Sequence, residues 1–143
     1  MTNRAKKTFD LANFDTVADA DKGFEFELLN PYTKEPLGMF ISVYGTDSQA
    51  FKEHVTERED NRRRQAAMRF KAGQEEPVVT KAMQEQDNIL LLVACTKGFR
   101  DVVLNGQTLE FSPDVAHKLY VERPWVQRQV DAAVSNFANF MKG

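Results

Sequence analysis

Alternating apolar and polar residues predict two β-hairpins in this chain of 143 residues. Residues 24–28 read Phe-Glu-Phe-Glu-Leu, which has the two-residue period of a strand with one buried face. A turn rich in Asn and Pro follows, and residues 37–44 return with apolar side chains on one side, giving a hairpin over 24–44. A second hairpin is expected over 102–111, because Asn105-Gly106 tolerates the positive φ angles of a tight turn.

Stretches without turn formers, and apolar spacings of three and four residues in the later ones, predict four helices, at 47–70, 80–96, 113–122 and 125–141. Ser112 and Pro113 supply an N-cap and a first helical residue, and Pro124 separates the last two helices. The final helix should bury one face, with Trp125 and Phe137 in the core. The predicted fold class is α+β: a mainly helical single domain, 1–143, with two short hairpins, a long charged helix and a disordered segment at 1–8.

The apolar run at 89–94 has no clear period, so periodicity alone does not separate buried helix from buried strand. Length and the lack of turn residues favour a helix. Thr96-Lys97-Gly98 is expected to end it, because Lys97 suits the negative helix end and Gly98 can adopt the left-handed cap. Cys95 lies directly after the run, which favours a buried thiol over a reactive one.

The predicted helix at 47–70 has apolar residues near both ends and charged residues at its centre. Glu59 with Arg63, and Asp60 with Arg64, place an acid four residues before a base, the spacing of ion pairs on a solvated helix. This helix should therefore leave the body or cross its surface. Its far half supplies the candidate partner-binding residues Arg62, Arg63, Ala66, Ala67 and Phe70. The alternative, left open by the sequence, is that this far end packs on the chain's own helix at 80–96.

The net charge of −2 gives no overall bias toward nucleic acid or anionic membrane. No segment approaches the roughly 20 apolar residues that span a bilayer, so a cytoplasmic protein is expected. Arg62-Arg63-Arg64 is the only basic cluster, and nearby acids weaken its field; these are Glu53, Glu57, Glu59 and Asp60. An exposed helix or a protein-contact surface is therefore favoured over a nucleic-acid site.

The residue types that commonly carry out catalysis or bind metals form no recognisable pattern in this sequence. His54 and His117 are far apart and Cys95 is the only cysteine, so no spacing fits a structural zinc site. Ser112 lacks a nucleophile-elbow context and is better explained as a helix cap. The scattered glycines form no phosphate loop. We therefore expect no enzyme, no cofactor and no metal.

The second half of the chain carries a set of short motifs in a fixed order: Thr96-Lys97-Gly98-Phe99, Asn105-Gly106, Leu109-Glu110-Phe111-Ser112, Ala116, Leu119-Tyr120, Pro124-Trp125, Gln129-Val130 and Phe137 to Phe140. This arrangement resembles the C-terminal half of the tail assembly chaperones of long-tailed bacteriophages. The first half is similar in its early strand pair and in the helix start Gly45-Thr46-Asp47-Ser48. Members of that family often have Trp where this chain has Phe99. The motif residues Phe99, Phe111, Ser112, Trp125 and Phe137 are structural rather than catalytic.

The resemblance implies a protein that binds the phage tape measure protein, keeps it soluble and helps recruit the tail tube protein. Such a protein acts in the host bacterial cytoplasm, is absent from the mature virion, and can self-associate along its long partner. It needs contact surface but no nucleic acid, no membrane and no active site. The competing hypotheses are a structural (minor) tail component, a small nucleic-acid-binding regulator that uses Arg62 to Arg64, and an enzyme.

Overall fold

A three-stranded antiparallel sheet lies at the centre of the fold, in the order β1-β2-β3. The computed structural model describes residues 10–140, apart from the side chain of Phe137, so the expectation for residues 1–8 lies outside it. The strands are β1 (Phe24–Leu29), β2 (Pro36–Val43) and β3 (Thr96–Arg100). The hairpin predicted over 24–44 is thereby confirmed. The row Phe26, Ile41 and Phe99 runs across all three strands and faces the core.

The third strand corrects the sequence interpretation of Thr96-Lys97-Gly98. These residues do not cap a helix; they pair with β2, and Gly98 lies opposite Ser42. Gly98 does not have the positive φ of a left-handed cap. The free edge of β2 outweighs the local capping preference, because pairing satisfies several backbone groups at once. A side-chain contact also holds the start of β3 in place, because the Thr96 hydroxyl lies 2.7 Å from the buried Tyr120 hydroxyl.

The second hairpin forms where it was predicted, but it is shorter. Its strands are β4 (Val103–Leu104) and β5 (Gln107–Thr108). Asn105 and Gly106 have φ of 52° and 77°, as a tight two-residue turn requires. One further bond follows the ladder, from the Leu109 amide to the Val102 carbonyl at 2.7 Å, and the side chains of Leu109 and Phe111 pack against the core.

Five helices lie within residues 10–140 of the single α+β domain: α1 (Thr16–Lys22), α2 (Gln49–Lys71), α3 (Lys81–Ala94), α4 (Pro113–Glu122) and α5 (Pro124–Ser135). Helix α1 was not predicted from the sequence. Its N-cap is Asp15, whose carboxylate accepts a 2.9 Å hydrogen bond from the Ala18 amide. The predicted cap of α4 is confirmed, because the Ser112 hydroxyl accepts from the Val115 amide at 3.1 Å. Short 3₁₀ turns lie at Leu11–Asn13 and Phe137–Phe140.

The last helix ends earlier than predicted, at Ser135 rather than near 141. Asn136 leaves the helical conformation, and its side chain accepts a hydrogen bond from the Ala138 amide at 3.2 Å. Asn favours such local bonds over a continued helix, which explains the break. The turn that follows returns Phe140 to the core, where its ring meets Phe24 edge-on at 6.1 Å. The prediction that Phe137 is a core residue concerns a side chain outside the described part.

The core lies between one face of the main sheet and helices α3, α4 and α5. Its fully buried members include Leu28, Ile41, Leu92, Tyr120 and Val130. Trp125 corrects the prediction of a buried anchor: it is half-buried and packs against the edge of the core. Its place at the first turn of α5, directly after Pro124, keeps part of the indole in solvent. Phe99 and Phe111 are also half-buried and form an edge-to-face pair at 5.3 Å.

Candidate functional site

The long helix α2 is attached to the body at its start, and most of the residues in its second half are exposed. Ser48 is fully buried and its hydroxyl accepts from the Phe51 amide at 3.2 Å, while the Gln49 amide donates to Asp21 at 2.8 Å. None of the 23 residues of α2 is fully buried, although Phe51 packs against the core. At 1.5 Å per residue the helix is about 34 Å long. We call α2, residues 72–80 and residues 81–87 the arm.

An ion pair joins the two helices of the arm. Arg58 of α2 lies 2.7 Å from the carboxylate of Asp87 on α3, and both side chains are partly exposed. One turn earlier, the Nε2 atom of His54 is buried and has no hydrogen-bond partner within residues 10–140. Burial lowers the pKa of His54, and the nearby Arg58 guanidinium lowers it further. The ion pair links α2 to α3 one turn after His54.

The ion pairs predicted along α2 do not form. In the described part of the chain, Arg62 instead pairs with Glu59 at 3.4 Å, one turn back. Asp60 and Arg63 take no part in an ion pair within the same region. Exposed helix pairs contribute only a few tenths of a kcal/mol, so side-chain entropy readily selects among such geometries. The charges of α2 therefore remain largely available to solvent or to a partner.

A cleft of about 360 Å³ lies between α2, the connection and α3. We call it the arm cleft. Its α2 wall is basic and polar, with Arg58, Arg62 and Arg69. The opposite side is mainly apolar, with Pro77, Val79, Met83 and Leu90, but it also carries two acids, Glu76 and Asp87, of which Asp87 is paired with Arg58. The Arg69 guanidinium lies 3.4 Å from the neutral amide oxygen of Gln65. Such a combination suits an elongated ligand with an apolar stripe and an acidic flank.

Apolar side chains are also exposed at the tip of the arm. Phe70 is 87% exposed and Met68 is 70% exposed, while Val78 and Val79 in the connection are 82% and 63% exposed. Single exposed apolar residues are normal, whereas a cluster at one end of a protruding element marks a contact surface. The sequence signal for this cluster was weak because Val78 and Val79 belong to no periodic stretch.

The five predicted partner-binding residues lie on two faces of α2. Arg62 and Ala66 line the arm cleft. Arg63, Ala67 and Phe70 are exposed and lie about 80–140° around the helix from Arg62, because each residue advances by about 100°. The alternative of the far end packing on the chain's own α3 is therefore excluded for Phe70, which is almost fully exposed. Arg62 and half-buried Ala66 face α3 across the cleft.

Most of the cleft was not predicted from the sequence. Arg58, Arg62 and Arg69 share one helix face because they are four and seven residues apart, a spacing that could have been read from the sequence. The apolar side was not predictable in this way. Pro77 and Val79 come from the connection, and their place opposite α2 follows only from the return of the chain along α3.

Groups that could bind a metal or act as nucleophiles form no site in the described part of the chain. Within residues 10–140, no group of three or more His, Cys, Asp and Glu side chains is placed to hold a metal ion. Cys95 is fully buried as predicted, and burial raises its pKa to about 12, so the thiol stays protonated at neutral pH. Burial also raises the pKa of Tyr120, whose hydroxyl contacts Thr96. Among the described helices, none has the length and apolar character needed to cross a membrane.

Comparison of the chain with family models, with curated proteins and with solved structures gave no match.

Proposed function

We propose that this chain is a tail assembly chaperone of a long-tailed bacteriophage. In this proposal it binds the tape measure protein, keeps it soluble in the host bacterial cytoplasm, helps recruit the tail tube protein, and is absent from the mature virion. The motif series from Thr96 to Phe140 supports the proposal through its resemblance to that family. The observation that carries it is the arm, whose cleft combines an apolar side with a basic wall.

A tape measure protein is a long helical protein, and a helix with an apolar stripe is unstable in water unless the stripe is covered. The arm cleft offers Val79, Met83 and Leu90 for such a stripe and Arg62 and Arg69 for acidic residues beside it. One cleft covers only a few turns of helix, so each contact is weak. Many copies along one long partner bind through repetition, which raises the overall affinity without any strong single site.

Co-expression with the tape measure protein of the same phage tests this function. Wild-type chain should keep that protein in the soluble fraction and co-purify with it. Val79→Asp should abolish solubilisation, because a carboxylate on the apolar side of the cleft cannot be buried against an apolar stripe. Val121→Asp is the matched control, since Val121 is a partly exposed valine on α4, outside the arm.

The possible outcomes distinguish an error in the proposed function from an error in the proposed binding site. Failure of the wild-type chain to solubilise its tape measure protein would overturn the proposed function. Normal solubilisation by a folded Val79→Asp variant would overturn the arm cleft as the binding site while leaving the function in place. A tape measure gene directly downstream of the gene for this chain is the genomic observation expected alongside.

One observation favours a second candidate, a small nucleic-acid-binding regulator. Arg62, Arg63 and Arg64 are all exposed on α2, where they could contact phosphates. Retention on heparin that falls steeply with salt would favour this regulator over the chaperone. Presence of the chain in purified phage particles would instead favour a structural (minor) tail component.

A further inference from the structure

The outer face of α2 is a second candidate surface, separate from the arm cleft. We define it by five exposed residues that lie within roughly 80° of arc at 100° per residue; they are Thr56, Asp60, Arg63, Ala67 and Phe70. None of these residues lines the cleft. The face presents two small side chains, one acid, one base and one exposed aromatic ring.

Charge along α2 is divided between its two halves. Residues 49–60 contain four acids and two bases, Lys52 and Arg58, and Arg58 is paired with Asp87. Residues 62–71 contain four arginines and one lysine and no acid. A helix with an acidic first half and a basic second half is complementary to a copy of itself that runs in the opposite direction. A parallel copy would place like charges side by side.

We propose that the outer face pairs with the same face of a second copy of this chain, antiparallel and about a two-fold axis between residues 61 and 62. In this register Asp60 meets Arg63 of the other copy, and the contact occurs twice because a two-fold interface is self-complementary. The small residues Thr56 and Ala67 then lie opposite each other and allow the helices to approach to about 8–10 Å. Phe70 covers the alkyl parts of Lys52 and Glu53 near the start of the partner helix.

The side chains of Asp60 and Arg63 are available for contacts with a second copy, which supports this register. Neither side chain has a hydrogen bond or ion pair within the described part of the chain, and both are exposed. The interface buries roughly 1,000 Å² or less in total, the size of a weak, transient contact. Dimers should therefore form at high local concentration. This inference does not depend on the proposed function, because it concerns contacts between identical chains.

Sedimentation velocity of the purified full-length chain over a concentration series tests the pairing. The wild type should show a monomer–dimer equilibrium that weakens as salt is raised from about 50 mM to about 500 mM, as screened charge pairs do. Asp60→Arg alone and Arg63→Asp alone should each raise the dimer Kd by about tenfold or more, since each creates two like-charge contacts. Combining the two substitutions, either in a mixture of the two variants or in one double variant, gives the decisive test of the pairing. An equimolar mixture of Asp60→Arg and Arg63→Asp chains should form heterodimers, and the double variant should form homodimers again.

Arg62→Asp is the matched control, because it makes the same charge change on the same helix but on the cleft face. It should leave the dimer Kd within about threefold of the wild type. Circular dichroism of each variant should match the wild type, because all three residues are exposed. A wild type that stays monomeric at all accessible concentrations, a mixture that fails to form heterodimers, or an Arg62→Asp variant as defective as Arg63→Asp would overturn the proposal.

Discussion

The side-chain amide of Gln129 forms two hydrogen bonds with the main chain of Leu29, 100 positions earlier in the sequence. Its oxygen accepts from the Leu29 amide and its nitrogen donates to the Leu29 carbonyl, both at 2.9 Å. Leu29 is the last residue of the edge strand β1, where these two groups have no neighbouring strand on the outer side. Gln129 therefore does for one residue what a further strand would do, and it joins α5 to the sheet.

We expect Gln129→Ala to lower the free energy of unfolding by about 1–2 kcal/mol, because two exposed hydrogen bonds are lost. Gln129→Glu should be at least as destabilising at pH 7, because a carboxylate cannot donate to the Leu29 carbonyl. Urea denaturation measures both changes. Gln127→Ala is the control on the same helix, since Gln127 has no side-chain hydrogen bond within residues 10–140. Equal effects at 127 and 129 would contradict the assigned role of Gln129.

Because Trp125 is half-buried, its replacement by alanine should destabilise the domain less than the replacement of a tryptophan in the core. Trp125→Ala should lower the free energy of unfolding by about 1–3 kcal/mol, below the 3–5 kcal/mol typical of a fully buried tryptophan. Thermal or urea unfolding of the variant checks the size of the loss. Val121→Ala, at a site 48% exposed, should change it by no more than about 0.5 kcal/mol. A loss near zero for Trp125→Ala would show that the indole contributes nothing to the domain and faces a partner instead.

Features whose causes lie close to them in the sequence were predicted correctly, whereas features that depend on distant parts of the chain were not. The cap at Ser112 and the turn at Asn105-Gly106 were predicted because their causes lie within three residues of the site. The strand at Thr96–Arg100 was not, since its cause is the free edge of β2, more than 50 residues away. The same holds for the cleft, which needs the return of the chain along α3 to bring Val79 opposite Arg62. The two-face division of α2 was open to prediction, because helix geometry alone determines it.

His54 should make the domain less stable as the pH is lowered. Burial and Arg58 hold its pKa in the folded chain below the ordinary value of about 6.5. The unfolded chain therefore binds the proton more readily, and protonation favours unfolding. The stabilisation by neutral His54 is complete above the unfolded-state pKa and is lost as the pH falls through it toward the folded-state pKa.

Urea midpoints at several pH values between about 7.5 and about 5.5 should show this loss in the wild type. His54→Leu removes the titrating group while keeping an apolar side chain at the base of the arm, so its stability should fall less over the same range. Carboxylates that titrate there contribute equally to both proteins, and the difference between the two curves isolates His54. Parallel curves for wild type and variant would contradict the lowered pKa.

Phe70→Asp separates a role in folding from a role in contact, because Phe70 is 87% exposed and little of its side chain is covered by the described part of its own domain. The free energy of unfolding should change by no more than about 0.5 kcal/mol. The variant should nevertheless solubilise the tape measure protein poorly, since coating a long partner requires many weak contacts and Phe70 supplies an apolar one at the tip of the arm. Tyr32→Asp is the matched control, because Tyr32 is an aromatic residue 92% exposed in the turn between β1 and β2. A stable Phe70→Asp variant that solubilises its partner as well as Tyr32→Asp does would remove Phe70 from the contact surface.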